Sequence, residues 1–351
     1  MNSIVSLLRP EIRRLRPYRN AVFEPGLARL NANENPWPPP GDSSDPGLNW
    51  YPEAVPVSLQ NRLAMHYGVA QEQLLVTRGS SEAIDLLVRG FCRAGQDTVV
   101  ICPPTFGMYE VYAQVQGAAV RVVPLRREQD YTLDVDGIVG DWAETDRLVF
   151  VCSPNNPTGN LIALADIARL AEQLRGRGCL VLDAAYAEFS GSRQSIDLIA
   201  DFDNVVVLRT LSKAMALAGV RCGALIGARE VVDLIGRILP PYAFPTPCAR
   251  AAEACIEPGN AAEWRRRVDL LVRERARMSD ALAALPAITR VWPSSANFIL
   301  VETRDPRDFA AAAKRGRVLV RDFSWDPYLP RCVRITIGTP AENDQLLAAL
   351  G

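Results

Sequence analysis

The chain carries a single histidine, His66. That scarcity removes Ser-His-Asp and Cys-His mechanisms unless this one residue serves, and it leaves no His-rich metal site. The neighbours of His66 make it a helix-end residue. No surplus of charge is present either: the net charge is −1, from 39 Lys and Arg against 40 Asp and Glu. Binding to a nucleic-acid backbone needs a concentrated basic surface, so nucleic acid is not an expected partner. Arginine does cluster at Arg265, Arg266, Arg267, Arg273, Arg275 and Arg277. However, Trp264, Val268, Leu271 and Met278 run through that stretch at helical spacing, which predicts a solvated helix face. The eight cysteines (Cys92, Cys102, Cys152, Cys179, Cys222, Cys248, Cys255, Cys332) lack paired metal-ligand spacing and sit mostly in apolar runs, as buried thiols of a reducing compartment do. No metal is expected. No apolar run approaches the ~20 residues of a membrane-spanning helix, and two arginines stand where a signal peptide would need a longer apolar core. The expected location is the cytoplasm. Internal repeats are absent, and the only biased stretch is the proline-rich loop from Pro36 to Pro46.

What is present is core-forming material. With 351 residues, 48% of them hydrophobic, the chain can bury a large core and divide into a main domain and a smaller one. Apolar strands are predicted at Leu74 to Thr77, Thr98 to Cys102, Val120 to Pro124, Leu148 to Cys152, Leu180 to Asp183, Val205 to Leu208 and Cys222 to Ile226, alternating with helical patterns. That alternation implies an α/β fold with a mostly parallel sheet wrapped by helices. After Pro240-Pro241 the pattern changes to a long helix through Met278 and then to strands around Ile299, Val318 to Val320, and Ile335, the smaller domain.

Polar groups gather at strand ends, where open α/β sheets place their ligand groups. Val205 to Thr210 runs into Leu211-Ser212-Lys213, and small residues follow as far as Arg221. An amine, hydroxyls and a guanidinium in one cluster suit a carbonyl cofactor that carries a phosphate: the amine for a Schiff base, the rest for the anion. An ordinary strand-loop lysine is the alternative. Leu180-Val181-Leu182 ends in Asp183, with Tyr186 three residues on. Leu148 to Cys152 runs into Ser153-Pro154-Asn155-Asn156-Pro157-Thr158-Gly159, a turn that holds an asparagine at a strand edge. Arg78-Gly79-Ser80-Ser81-Glu82, followed by Ile84, Leu87, Val88 and Phe91 at helical spacing, is a glycine turn into a helix N-terminus. Such a turn serves as an anion site or as simple capping.

In this order, Asn156, Asp183, Tyr186 and Lys213 resemble the pyridoxal phosphate enzymes of the aspartate aminotransferase fold. The resemblance implies a fold type I transferase: a mostly parallel central sheet with helices on both faces, plus a smaller α+β domain. Its divisions would be an arm and part of the small domain (1–45), a large cofactor-binding domain (46–245) and a small domain (246–351). It also implies roles. Lys213 would anchor the cofactor and act as general base, and Asp183 would stabilise the protonated ring nitrogen. Tyr186 and Asn156 would bond the phenolic oxygen. Gly79, Ser80, Ser81, Thr210, Ser212 and Arg221 would hold the phosphate, with Phe106 stacked on the ring face.

Leu30-Asn31-Ala32-Asn33-Glu34-Asn35-Pro36, Trp50-Tyr51-Pro52-Glu53, Pro103-Pro104-Thr105-Phe106-Gly107-Met108-Tyr109 and Arg334-Ile335-Thr336-Ile337-Gly338 narrow the resemblance to histidinol-phosphate aminotransferases, in order over nearly the whole chain. By that similarity the protein works as a homodimer in which Tyr51 reaches the partner subunit's cofactor phosphate. Arg321 and Arg334 would bind the anionic groups of histidinol phosphate and of 2-oxoglutarate or glutamate, and Tyr18 and Asn33 would also lie on the substrate side. Three departures stand out: Ser81 where many relatives have aspartate, Phe106 for a tyrosine, and Ala184 for a frequent glutamate. Alternatives within the fold are an aromatic amino acid aminotransferase and a phosphothreonine decarboxylase; outside it, a silent cofactor-binding module, against which the intact lysine argues.

Overall fold

The computed structural model describes residues 4–24, 26–191 and 194–351. Among them, seven strands form the larger sheet: β1 (Leu74–Thr77), β2 (Thr98–Ile101), β3 (Ala119–Val122), β4 (Asp146–Cys152), β5 (Cys179–Asp183), β6 (Val205–Thr210) and β7 (Gly223–Ile226). Their spatial order is β1-β7-β6-β5-β4-β2-β3. The ladders from β3 through β6 are parallel, and β7 alone runs against both of its neighbours.

The central strands β5 and β6 are apolar along most of their length because of what covers them. Leu180 and Leu182 of β5, with Val205 and Val207 of β6, enter one core. Cys179 and Val181, with Val206 and Leu208, enter the other. Side chains alternate across a strand, so a strand buried on both faces reads as continuously hydrophobic. Helix Gly79–Phe91 covers one face through Ala83, Ile84, Leu87 and Phe91. Helix Leu164–Gln173 covers the other through Ile167, Leu170 and Ala171. Near the amino terminus, Ile4 and Leu8 pack beneath the same sheet, and the Arg9 N–H donates to the Gly90 carbonyl at 3.0 Å.

A second, antiparallel sheet contains β8 (Ile288–Val291), β9 (Phe298–Thr303), β10 (Arg321–Asp322) and β11 (Cys332–Thr336), in the order β10-β11-β9-β8. Its core joins Ile299, Val301, Val333 and Ile335 to Met278 and Leu282.

The structure overturns three expectations. Val318 to Val320 is not a strand: Arg317 takes φ 63° just before it, Leu319 is exposed, and only Arg321 and Asp322 pair with β11. The expected long helix is two helices, Thr246–Ile256 and Pro258–Ala283. Glu257 is extended because a residue before proline disfavours helical backbone, while Pro258 suits the first helical position. On that second helix Arg265, Arg266, Arg267, Arg273 and Arg277 are exposed as expected. Arg275 turns inward instead, donating to the carbonyls of Ala296 at 2.7 Å and Phe189 at 3.3 Å.

Candidate active site

The carboxyl ends of β4, β5 and β6 open into a cavity of about 810 Å³. Asp183 ends β5 and is 3% exposed. Its Oδ2 accepts from the Tyr109 hydroxyl at 2.8 Å, and its Oδ1 from the Ala185 N–H at 3.1 Å. Burial raises its pKa, with those two donors and Lys213 acting the other way. Neither bonded partner carries a charge, and no ion pair to Asp183 occurs among the described residues. A carboxylate held this way is poised for a cation on its open side.

Tyr109 is fully buried, stacked on Phe150 at 4.6 Å and met edge-on by Phe106 at 5.6 Å. It stands in the second position of helix Met108–Gln116, three residues after Phe106. The sequence motif around Tyr109 carries no sign of this contact with Asp183.

Lys213 follows β6 and presents its side chain to the cavity, with Nζ 5.7 Å from the centre of the Tyr186 ring. Lys213 is exposed at the mouth of the cavity, yet protein lies close enough to the amine that partial desolvation lowers its pKa. Arg334 and Arg221 push the same way, and Asp183 opposes them. The composition held a further signal for this residue: Lys213 and Lys314 are the two lysines of the chain. Tyr186 is buried against Phe298 at 5.2 Å, and burial raises its pKa.

An anion cradle lies at one end of the cavity. Helix Gly79–Phe91 begins at Gly79, φ 75°, where an added Cβ would lie 2.6 Å from Arg221 Nη2. On β7, a Cβ at Gly223 would lie 2.7 Å from the Ser80 nitrogen. Both glycines are needed for the helix start, with its unpaired N–H groups, to come this close to Arg221. Thr210 Oγ1 donates to Ser212 Oγ at 3.0 Å, and Arg221 Nη1 donates to the same Ser212 Oγ at 3.3 Å. Ser81 lines the cavity beside them.

Also on the cavity wall, Arg321 of β10 and Arg334 of β11 are paired in register. Neither has an acidic partner among the described residues, and Arg334 Nε is buried with no acceptor. Arg334 Nη1 donates to Asn156 Oδ1. Asn156 itself is held in a turn braced by Asn155, whose Nδ2 donates to the Pro104 carbonyl at 2.8 Å and to Thr158 Oγ1 at 2.6 Å.

The cavity thus gathers Ser80, Ser81, Phe106, Asn156, Asp183, Tyr186, Thr210, Ser212, Lys213, Arg221, Arg321 and Arg334. Three anticipated residues stand apart. Tyr18 lines a separate cavity of about 750 Å³, Tyr51 is 51% exposed and stacked on Tyr242 at 4.7 Å, and Asn33 is exposed with φ 57°. Ala184 is fully buried in the apolar core beyond Asp183, where a glutamate would need a partner. Among the described residues no cluster suited to a metal ion occurs, and no helix is long and apolar enough to cross a membrane.

An aldehyde with a phosphate and a basic ring nitrogen fits this set: an amine of lowered pKa, an anion cradle and a buried carboxylate lacking a cation. The family model described as aminotransferase class I and II matches residues 29–350. The chain belongs to the class I and II aminotransferases. Over 100% of its length this aminotransferase is 42% identical to a histidinol-phosphate aminotransferase of Stenotrophomonas maltophilia, covering 97% of that protein. It is 44% identical to the one of Xanthomonas campestris pv. campestris, over 99% of this chain and 97% of that one. A solved structure of histidinol-phosphate aminotransferase from Sinorhizobium meliloti, in complex with pyridoxal-5'-phosphate, aligns with a TM-score of 0.76 at 25% identity, covering 86% and 82% of the two chains. These likenesses set the aminotransferase within the histidinol-phosphate group of its class, with the fold type I architecture and pyridoxal phosphate as cofactor.

Proposed function

We propose that the aminotransferase passes an amino group from glutamate to imidazole acetol phosphate, giving histidinol phosphate and 2-oxoglutarate, reversibly and in the cytoplasm. The observation that carries this reading is the pair Arg321 and Arg334, two guanidiniums in register with no acidic partner among the described residues, on the wall of the cavity that holds Lys213. A planar fork binds a phosphate or a carboxylate equally well, so one pair serves both half-reactions. Relatives at 40–44% identity that carry the histidinol-phosphate name favour this substrate over the alternatives.

When bound, pyridoxal phosphate supplies an aldehyde that condenses with amines and a ring that draws electrons from the substrate's Cα. The chain's part is to position and to move protons. Gly79, Ser80, Ser81, Thr210, Ser212 and Arg221 would hold the phosphate, and Phe106 would cover a ring face. Asp183 would keep the ring nitrogen protonated, and Tyr186 and Asn156 would bond the phenolic oxygen. Lys213, neutral at lower pH than a free lysine, would take the proton from the substrate's Cα and return it to the carbon that was the cofactor's aldehyde. Asn156 also steadies Arg334 and so ties the cofactor side of the site to the substrate side.

The same proposal assigns Tyr51 to the partner subunit's phosphate in a homodimer, supported by its exposure and its place outside its own chain's cavity. Tyr18 and Asn33 are assigned to the substrate side of the assembled site. It divides the chain at 45 and 245, supported by a second sheet built wholly from residues 288–336.

Glutamate added to the holoenzyme should bleach the absorbance of the bound cofactor; no bleaching would reject transamination. Histidinol phosphate should then outcompete phenylalanine in that half-reaction. The reverse order would make the enzyme an aromatic amino acid aminotransferase.

A further inference from the structure

The segment after β10 holds an indole at the cavity wall. Asp322 turns its carboxylate back on the chain: Oδ1 accepts from the Ser324 N–H at 2.7 Å, and Oδ2 from the Ser324 hydroxyl at 3.0 Å. The Asp322 carbonyl accepts from Trp325 Nε1 at 3.2 Å. That bond occupies the only donor of the indole, so its faces offer apolar and π contact alone. Trp325 nevertheless stays 67% exposed while lining the cavity. Behind it stands Phe323, 5.8 Å away at an interplanar angle of 30°. The guanidiniums of Arg321 and Arg334 lie 5.9 Å and 5.6 Å from the Phe323 ring. One wall therefore carries two cations without an acidic partner among the described residues, beside an aromatic surface tethered by its N–H and left open to solvent. Such a surface gains most from a ligand that brings both a negative charge and a flat ring.

The geometry points to Trp325 as a specificity-determining residue: its indole packs against the ring of a substrate whose anionic end is held by Arg321 and Arg334. This rests on the proposed transamination and sharpens it, because the two substrates differ in the relevant feature. Histidinol phosphate has an imidazole to cover the indole; glutamate has none. Trp325 thus favours the ring-bearing substrate in a site whose arginines accept either anion.

The test compares half-reactions of the holoenzyme, followed by cofactor absorbance, in the wild type, Trp325→Ala and Trp325→Phe. The ratio of kcat/KM for histidinol phosphate over glutamate should fall about threefold to tenfold in Trp325→Ala and stay within about twofold in Trp325→Phe. An unchanged ratio in Trp325→Ala, including an equal fall with both substrates, overturns the assignment. Histidinol phosphate added to the cofactor-free protein should quench a fluorescence component that Trp325→Phe lacks, and equal quenching in both proteins also overturns it. Should the wild type not react with histidinol phosphate, the proposed substrate is wrong. The same ratio taken with phenylalanine over glutamate then decides the role of Trp325 on its own.

Discussion

Tyr109 offers its hydroxyl to Asp183 from a site that is fully buried, fixed by the Phe150 stack on one side and the Phe106 edge on the other. A hydrogen bond to a charged group contributes about 1.5–3 kcal/mol. Tyr109→Phe should therefore raise the dissociation constant for pyridoxal phosphate about tenfold or more while the fold survives. A dissociation constant equal to that of the wild type would remove Tyr109 from the site. Partial desolvation, with like-charge repulsion from Arg334 and Arg221 added to it, holds the Lys213 amine below its usual range. Replacing Arg334 by Gln removes one cation, which makes the protonated form easier to reach. The spectrophotometric pH midpoint of the cofactor-bound lysine should move up, and a midpoint that stays or falls contradicts the coupling. Asp183 gives a third expectation. Its folded pKa lies above the ordinary 3.8, so between those two values the folded cofactor-free chain binds more protons than the unfolded one, and stability falls as pH rises through that window. Without cofactor at neutral pH, Asp183→Asn should unfold at a higher temperature than the wild type yet bind pyridoxal phosphate more weakly. A lower unfolding temperature would mean that the carboxylate is satisfied without the cofactor. At this scale, residues at the ends of buried strands were legible because a lone polar group after an apolar run has few structural uses. Tyr109 was not legible, since nothing in the sequence shows that a helix-start phenol points at a strand end 74 residues away.

Elements that are buried on both faces announced themselves; those set by pairing alone did not. β4, β5 and β6 read as strands because both faces meet helices. β8 was missed: its Thr289 and Arg290 are exposed and its ends only half-buried, so its pattern is weak. The apolar Val318 to Val320 looked like a strand, yet the ladder begins one residue later, where β11 supplies backbone partners. The glycine turn into helix Gly79–Phe91 was legible as an anion site or a cap; Gly223, on another strand, was not, and it is what lets the helix start approach Arg221. Gly223→Ala would set a Cβ 2.6 Å from the Gly79 carbonyl carbon and 2.7 Å from the Ser80 nitrogen, both backbone atoms. The helix start must then shift. Thermal unfolding should begin several degrees lower, in line with a loss of about 1–3 kcal/mol, and inorganic phosphate should no longer protect the chain. A variant that unfolds like the wild type and is still protected by phosphate would show that the cradle tolerates the methyl group.

For the molecule as a whole, the order of motifs carried the fold class, because apolar strands alternating with helices admit few architectures. What covers the exposed large apolar side chains of residues 15–57, among them Phe23, Leu30, Trp37 and Tyr51, was not legible. If Tyr51 acts across the dimer, mixing Lys213→Ala chains with Tyr51→Ala chains under conditions of subunit exchange should restore roughly a quarter of the wild-type sites, because one site in each hybrid has both residues intact. No recovery on mixing would place Tyr51 in its own chain's site or outside any site. The proposed chemistry depends on the lysine after β6. With Lys213 and Lys314 the two lysines of the sequence, borohydride reduction of the protein loaded with pyridoxal phosphate, followed by peptide mass analysis, reads the attachment directly. The expected result is one pyridoxyl group per chain, on the peptide containing Lys213 and not on Lys314. Label on Lys314 alone, or on neither, would contradict it.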